Sequence, residues 1–439
     1  MTVRYDDALP ILIKICRDAQ IDLETRDDVV VLRDATGRLG VAFETRRKND
    51  GLVERLREAL GAYALAEPVL PTALFPSLMQ AGPKETFIKL SDDDGQWIRL
   101  LDRRIVGADW LADLAPQADR PPRLVFGSLK GGVGRTTALA VLAADLAQNG
   151  KRVLCVDLDL EAPGLGGMLL RDRPNDDRRP KFGALDYLVE NGLGGVEDDE
   201  LLDFIGVSHF VDGSIHVLPA VGRVTDEHPE NMIGKLARGL IEDVGADGRQ
   251  SVAMQMRAMV DRFVGYGDYD AVLIDARAGL AETTAGTWLG LGARKLLLFG
   301  VNQPQTFAGY AYVLAHLIQT LGAPDENAPT DWRSRLSFVH AKASGSGDGR
   351  TIFRGRLYDL CLTRLYDEES PEDDGAFTFG FDETGTEIPH DATLIEYHPD
   401  YDAFDPQADE ALLRKDVYRG PYGAFLERAW EILGWERPE

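Results

Sequence analysis

Cysteine is scarce in this 439-residue chain: Cys16, Cys155 and Cys361 stand alone, with no paired spacing. A disulfide framework is therefore excluded, and no zinc-ligand pattern is present. The seven histidines are scattered, and none faces a partner one helical turn away, so they do not indicate a metal site. No run approaches the ~18 apolar residues that span a bilayer. The opening Met1-Thr2-Val3-Arg4-Tyr5-Asp6-Asp7 lacks the basic-then-apolar order of a secretory signal. These absences lead to the expectation of a cytoplasmic protein with no membrane partner. Positive charge is also short, with 48 Lys and Arg against 73 Asp and Glu, a net charge of −25. Such a surface repels nucleic-acid phosphates and anionic lipid unless its cations gather in one patch. Apolar residues, at 44%, are plentiful enough for a sizeable core and exclude overall disorder.

The length suggests two or three domains, and the pattern divides near residue 120. Residues 1–120 read as a small α+β domain whose role the sequence does not reveal. An amphipathic helix over Tyr5–Ala19 precedes two β-rich runs, Val29–Leu32 and Leu39–Phe43, joined through Asp34-Ala35-Thr36-Gly37 as a hairpin. A helix over Leu52–Ala64, a proline-punctuated stretch (Pro68, Pro71, Pro76, Pro83) and β-like runs at Phe87–Leu90 and Trp97–Leu101 complete it. Residues 121–439 alternate short apolar strands with longer helices. The strand candidates are Leu124–Gly127, Arg152–Asp157, Ile215–Pro219, Ala271–Asp275, Lys295–Val301 and Leu336–Ala341. That alternation predicts an α/β fold, a parallel sheet with helices on both faces, and ligands bound beyond the carboxyl ends of the strands. Two polar insertions interrupt it: Ser344–Gly349, a flexible or ligand-shaped loop, and the acidic run Asp367–Asp374, a solvated segment.

The first of those strands runs into Ser128-Leu129-Lys130-Gly131-Gly132-Val133-Gly134-Arg135-Thr136-Thr137, and an apolar helix follows until Gly150 stops it. Glycines at 131, 132 and 134 let successive backbone N–H groups turn into one concavity. The helix N-terminus adds partial positive charge, making an anion site sized for a polyphosphate. Thr136 stands where a phosphate-loop hydroxyl binds Mg²⁺. The segment departs from the standard G-x-x-x-x-G-K-[ST] spacing, because Leu129 replaces the first glycine and Arg135 replaces the lysine. It has instead a second cation, Lys130, five residues ahead of Arg135. Two acidic strand ends follow: Val153-Leu154-Cys155-Val156-Asp157-Leu158-Asp159, and Ala271-Val272-Leu273-Ile274-Asp275-Ala276-Arg277-Ala278-Gly279. In the former the two carboxylates, at i and i+2, leave the strand on one side.

In this order the motifs resemble the deviant Walker A segment, K-G-G-x-G-K-[ST], of the ParA/MinD-like P-loop ATPases of the SIMIBI class, closest to variants with KGGVGR in the loop. The resemblance covers about residues 120–345, and the domain it implies extends over residues 121–439 with acidic and Gly/Ser-rich insertions. It implies ATP and Mg²⁺ as ligands and assigns Lys130, Gly131, Gly132, Val133, Gly134, Arg135, Thr136 and Thr137 to the nucleotide. Thr136, Asp157 and Asp275 become the metal-proximal groups, with Asp275 in the Walker B position and Asp159 as the residue that orients water. Gly279, with Arg277 beside it, matches the switch that reports on the γ-phosphate. Lys130 matches a signature lysine that reaches the partner's nucleotide in a face-to-face dimer, so Lys130, Asp159 and Arg135 are the catalytic candidates. The base reader is unassigned: His340-Ala341-Lys342 stands where the family often has Asn or Asp, and Asn302 reads as a turn-former.

The resemblance implies an ATP-dependent homodimer, bacterial in setting, that binds ATP and hydrolyses it slowly with stimulation by a partner. The acidic balance favours a switch acting on a separate protein partner. A DNA-segregation ATPase is the alternative, and a nucleotide-binding pseudo-ATPase with a structural role is a third reading. A DNA surface would need a basic stripe, whereas Arg171, Arg173, Arg178, Arg179 and Lys181 form one local cluster among acids. The amphipathic segment Phe425–Trp435 is expected to dock on the core, because its acids do not suit anionic lipid.

Overall fold

The computed structural model describes the chain except residues 1, 24–28, 44–50, 72–86, 90–96, 105, 173–176, 212–213, 246–247, 323–330, 345–346, 368–378, 385–387 and 439. The chain divides into two compact units, one of residues 1–113 with 315–324 and one of 114–314 with 325–439.

The first unit contains helix α1 (Tyr5–Asp18), strands β1 (Val30–Arg33) and β2 (Leu39–Phe43), helix α2 (Leu52–Leu60) and strands β3 (Ala64–Pro71), β4 (Phe87–Lys89) and β5 (Trp97–Asp102). Its sheet runs β3-β2-β1-β5-β4. The β1–β2 hairpin is closed by Asp34, whose Oδ1 accepts from the backbone of Thr36 and Arg38, both at 2.9 Å, while Gly37 takes φ +89°. Leu12, Cys16, Leu39, Val41, Leu56 and Ile98 fill the core beneath. The helix expected to reach Ala64 ends at Leu60, because Gly61 turns left-handed at φ +55°. The first part of the proline-punctuated stretch is a strand, β3. It lies at the sheet edge, where a missing N–H costs no ladder bond.

The second unit carries β6 (Arg123–Ser128), α3 (Arg135–Gln148), β7 (Val153–Leu158), α4 (Leu165–Leu169), α5 (Ala184–Asn191), β8 (Gly206–Val207), β9 (Ile215–Leu218), α6 (Arg223–Glu227) and α7 (Met232–Gly239). A small hairpin of β10 (Asp243–Gly245) and β11 (Gly248–Gln250) follows. Then come α8 (Val252–Tyr266), β12 (Ala271–Ala278), α9 (Glu282–Gly290), β13 (Lys295–Gly300), α10 (Pro304–Leu321, of which residues 315–321 are counted with the first unit), β14 (Leu336–Ala343), α11 (Gly347–Arg364), β15 (Thr393–Glu396) and α12 (Lys415–Leu433). The main sheet runs β15-β14-β13-β6-β12-β7-β9-β8 and is parallel apart from the β8–β9 pair. All six strand candidates appear, five of them within two residues of their expected ends, while β12 runs three residues beyond Asp275 to Ala278. The fold is thus the expected α/β arrangement, with β6 central between β13 and β12.

Helix α3 is apolar all round and buried along nearly its whole length, as a helix between two layers must be. One side faces the sheet and α12 covers another. The two helices are joined at Asp145, a fully buried carboxylate that accepts from Tyr418 Oη (3.1 Å), Trp430 Nε1 (2.8 Å) and Arg437 Nη2 (2.7 Å). The C-terminal helix therefore docks on the core, burying Phe425, Leu426, Trp430 and Leu433. No helix among the described residues is long and apolar enough to cross a membrane. The segment Ser344–Gly349 is partly helical, because α11 starts at Gly347; residues 345–346 lie outside the described residues. Of the acidic run, Asp367 is bound by Arg333 Nη2 at 3.1 Å, and residues 368–374 lie outside the described residues. In the 171–181 cluster, Arg179 pairs with Asp172, Asp177 and Asp226. Lys181 pairs with Asp203, so these cations are spent on neighbouring acids.

Candidate functional site

The carboxyl ends of β6, β7 and β12 are adjacent, and each delivers one part of the expected site. Strand β6 continues into the glycine loop. Gly132 (φ +75°) and Gly134 (φ +86°) take left-handed conformations that other residues avoid, and Gly134 caps α3. A Cβ added at Gly131 or Gly132 would meet nothing within 4 Å, so the loop backbone at these exposed positions faces open space. Val133 is buried and anchors the loop. Leu129, the departure from the first glycine, lies against Gly309 of α10, where a Cβ would come within 2.8 Å of its side chain. Immediately upstream, Gly127 is required by packing: a Cβ there would stand 2.7 Å from the indole ring of buried Trp288.

Arg135 turns inward from the first residue of α3 and is buried. Its Nε donates to Asp275 Oδ1 at 2.5 Å, its Nη2 to Asp159 Oδ2 at 2.8 Å and its Nη1 to Ser128 Oγ at 3.2 Å. Burial works against its charge, but Asp275 and Asp159 more than offset that and hold its pKa above the ordinary value. Thr136 Oγ1 donates to the other oxygen of Asp275 at 2.6 Å. Burial raises the Asp275 carboxyl above the usual carboxylate range, with Arg135 and Thr136 pulling the other way. Asp157 is fully buried, and burial with the neighbouring Asp275 charge raises it also. Its oxygens accept from the backbone N–H of Asp159 (3.1 Å), Gly164 (3.1 Å) and Leu165 (3.0 Å). Asp157 therefore shapes the loop between β7 and α4, a role that the spacing of the motif did not reveal. Thr137 is buried behind the loop.

Lys130 is exposed at the loop's outer edge, its Nζ 3.0 Å from Gln303 Oε1. Gly279 takes φ +99°, and its N–H donates to Ser128 O at 3.0 Å, fixing the β12 loop beside the glycine loop. Arg277 is not drawn into the Arg135 cluster; it pairs with Glu161. Arg135, Thr136, Asp159 and Asp275, all named from the sequence, lie together, joined by Ser128, which the motif spacing did not single out, as it did not single out Glu161 or Gln303. Ser128 ends the β6 strand, which was a usable signal; Gln303 and Glu161 carried none. Of the residues left without a base-reading role, His340 is buried and stacked on Phe353, with ring centroids 4.1 Å apart. Lys342 takes φ +51° and pairs with Asp402 at 2.6 Å. Asn302 Oδ1 accepts from Arg356 Nη1 at 3.2 Å. A cavity of about 360 Å³ opens behind the β7–α4 loop, lined by Asp157, Gly164, Gly166, Arg179 and Pro219.

The donor set suits Mg²⁺: one hydroxyl and one carboxylate, hard oxygens already 2.6 Å apart beside an anion cradle. Among the described residues no group of three or more His, Cys, Asp or Glu could hold a metal.

Residues 124–323 match the CobQ/CobB/MinD/ParA nucleotide binding domain. The chromosome-partitioning ATPase Soj of Thermus thermophilus is 31% identical over 162 residues, covering 37% of this chain and 48% of Soj. The chain thus spans about half the length of that curated relative. Solved structures with a similar arrangement include the MinD cell division protein of Aquifex aeolicus, 17% identical, covering 72% of this chain and 98% of that one, with a TM-score of 0.42. Another is a ParA family ATPase from Chlorobium tepidum, 17% identical over 58% of this chain and 86% of that one, TM-score 0.38. A third is a cobyrinic acid a,c-diamide synthase from Mycobacterium smegmatis with a bound ATP analogue and magnesium, 20% identical over 57% and 85%, TM-score 0.37. Residues 124–323 thus carry a nucleotide-binding domain similar to those of the CobQ/CobB/MinD/ParA proteins, in line with the resemblance of the motifs.

Proposed function

We propose that this protein is an ATP-binding, slowly hydrolysing dimeric switch whose output passes to a separate protein partner. One observation carries the nucleotide reading: the glycine cradle opens beside a Thr136–Asp275 contact of 2.6 Å, so phosphate and metal donors converge. Gly131, Gly132, Val133 and Gly134 would wrap the phosphates with backbone N–H groups, and Thr137 would extend that wrap into the helix. Thr136 and Asp275 would hold Mg²⁺, which when bound neutralises charge on the phosphates. Arg135 would shift its guanidinium from Asp275 toward phosphate, its fork suiting either anion. Asp159, released with it, would orient the attacking water. Lys130, exposed at the rim, would reach the nucleotide of a second subunit.

Slow turnover follows from geometry. The fork of Arg135 is wider than an ammonium, and a misplacement near 1 Å lowers a rate on the order of a hundredfold. The net charge of −25 supports a protein partner over DNA. The second reading, a DNA-segregation ATPase, is favoured by one observation, the likeness to a chromosome-partitioning relative. Purified protein with Mg-ATP tests both. We expect binding, turnover that Lys130→Ala abolishes, and dimerisation with a non-hydrolysable analogue. Equal hydrolysis by wild type and Lys130→Ala removes the trans-lysine, and a monomer at saturating ATP removes the dimer. ATP-dependent, salt-sensitive retention on plasmid DNA promotes the segregation reading.

A further inference from the structure

The loops that carry Asp159 and Asp275 are tied to each other outside the Arg135 cluster. Arg277 Nη1 donates to Glu161 Oε1. Glu161 lies two residues beyond Asp159, in the segment between β7 and α4, and Arg277 two beyond Asp275, near the end of β12. The two sides of this link are anchored differently. The β12 loop is fixed by Gly279 to Ser128 beneath the glycine loop. The β7 loop is held by Asp157 through the N–H groups of Asp159, Gly164 and Leu165, with Glu161 between these points in a turn closed by the Ala162 N–H to Asp159 O at 3.1 Å. Both paired side chains are about a third exposed, at 31% and 39%. A pair that wet adds little to stability, so holding the fold together does not account for it.

A guanidinium binds carboxylate and phosphate with the same planar fork. We propose that Glu161–Arg277 is an anion-exchange latch between the two loops. Arg277 holds the middle of the Asp159 loop through Glu161 until a phosphate of the bound nucleotide takes the guanidinium. Arg277 is thus a positioning residue for Asp159, and Glu161 competes with phosphate for a single cation. The exchange rests on the nucleotide reading above, whereas the link between the loops does not. The consequence is a difference of sign. Removing the charge of Glu161 frees Arg277 for phosphate, while removing Arg277 takes away a phosphate ligand; both loosen the loops.

The test is hydrogen–deuterium exchange of the full chain over residues 159–165 and 276–281, for wild type, Glu161→Gln, Arg277→Ala and Arg277→Lys. Each is measured with and without Mg²⁺ and ATPγS, alongside ATPγS affinity. Without nucleotide, Glu161→Gln and Arg277→Ala are expected to raise exchange in the 159–165 loop several-fold, with Arg277→Lys near wild type. With nucleotide, Glu161→Gln is expected to bind several-fold more tightly than wild type and Arg277→Ala several-fold more weakly. Unchanged exchange in both variants overturns the latch. An affinity change of the same sign in both overturns the competition with phosphate. A wild-type protein that does not bind ATPγS overturns the nucleotide reading, and exchange in the nucleotide-free protein still decides the link.

Discussion

Arg135 bonds Asp159 at 2.8 Å, so a cation from the glycine loop is joined to a carboxylate delivered by β7, two strands away in the sheet. The same guanidinium reaches Asp275 at 2.5 Å. Arg135→Ala leaves the buried Asp275 carboxylate with Thr136 alone, among the described residues, as a side-chain hydrogen-bond partner, and breaking a buried pair costs ~3–5 kcal/mol. Arg135→Lys keeps the charge but not the fork, and should lie between. Because burial already raises Asp275, losing Arg135 raises it further. A folded-state pKa above the unfolded one means stability falls as pH rises past the ordinary carboxylate range. Urea midpoints should therefore show the gap between wild type and Arg135→Ala widening from pH 5 to pH 8.

Gly127→Ala is expected to act by steric force alone. The added methyl would meet the Trp288 ring at 2.7 Å, and because the strand and the indole are both buried, one of them must shift within the core. Overpacking of this kind costs ~1–3 kcal/mol, and it displaces the end of β6 from which the glycine loop departs. Thermal unfolding should show a lower midpoint, and Trp288→Leu in the same chain should recover part of it.

Asp145 links the helix that follows the glycine loop to the C-terminal helix. Arg437→Ala leaves its buried carboxylate with only the neutral donors Tyr418 and Trp430. Loss of a buried ionic partner costs ~3–5 kcal/mol, an unusual penalty for a residue so near the chain end. Asp145→Asn should cost less, since it removes the charge that needs compensation. Denaturant titration of the three proteins checks the order wild type, Asp145→Asn, Arg437→Ala.

His340 gives the acid limb of stability. Burial, with Arg350 nearby, lowers its pKa to about 4. The unfolded chain binds a proton near pH 6.5 that the folded chain refuses, so this contribution is complete above that pH and is lost as pH falls toward 4. His340→Gln should flatten stability between pH 6.5 and 4 relative to wild type, read from urea midpoints at intervals across that window.

Six strands of the second unit were legible because each is a short apolar run between helical stretches, several of them ended by a glycine or an acid. Strand β15 was not legible: Thr393–Glu396 has one fully buried residue, Ile395, and gains its identity from β14 beside it. β3 was hidden by Pro68 and Pro71, which an edge position tolerates. In the site, spacing located Arg135, Thr136, Asp159 and Asp275. It did not foresee that Asp157 spends its oxygens on backbone amides, nor that Arg277 meets Glu161 across the gap between two loops. Those contacts depend on where loops come to rest, and the residue order of a loop says little about that.

The placement of β12 between β6 and β7 fixes when this site can come into being. Strands β6 and β7 are neighbours along the chain, yet neither completes its pairing until residues 271–278 have been made and inserted between them. The glycine loop and the β7 carboxylates must wait on a ribosome more than a hundred residues further along. Until then two apolar strands stand with open edges, and closing so long a loop slows folding and exposes it to misassembly. Nucleotide competence is therefore a late event in the life of this chain, reached only when its middle strand arrives.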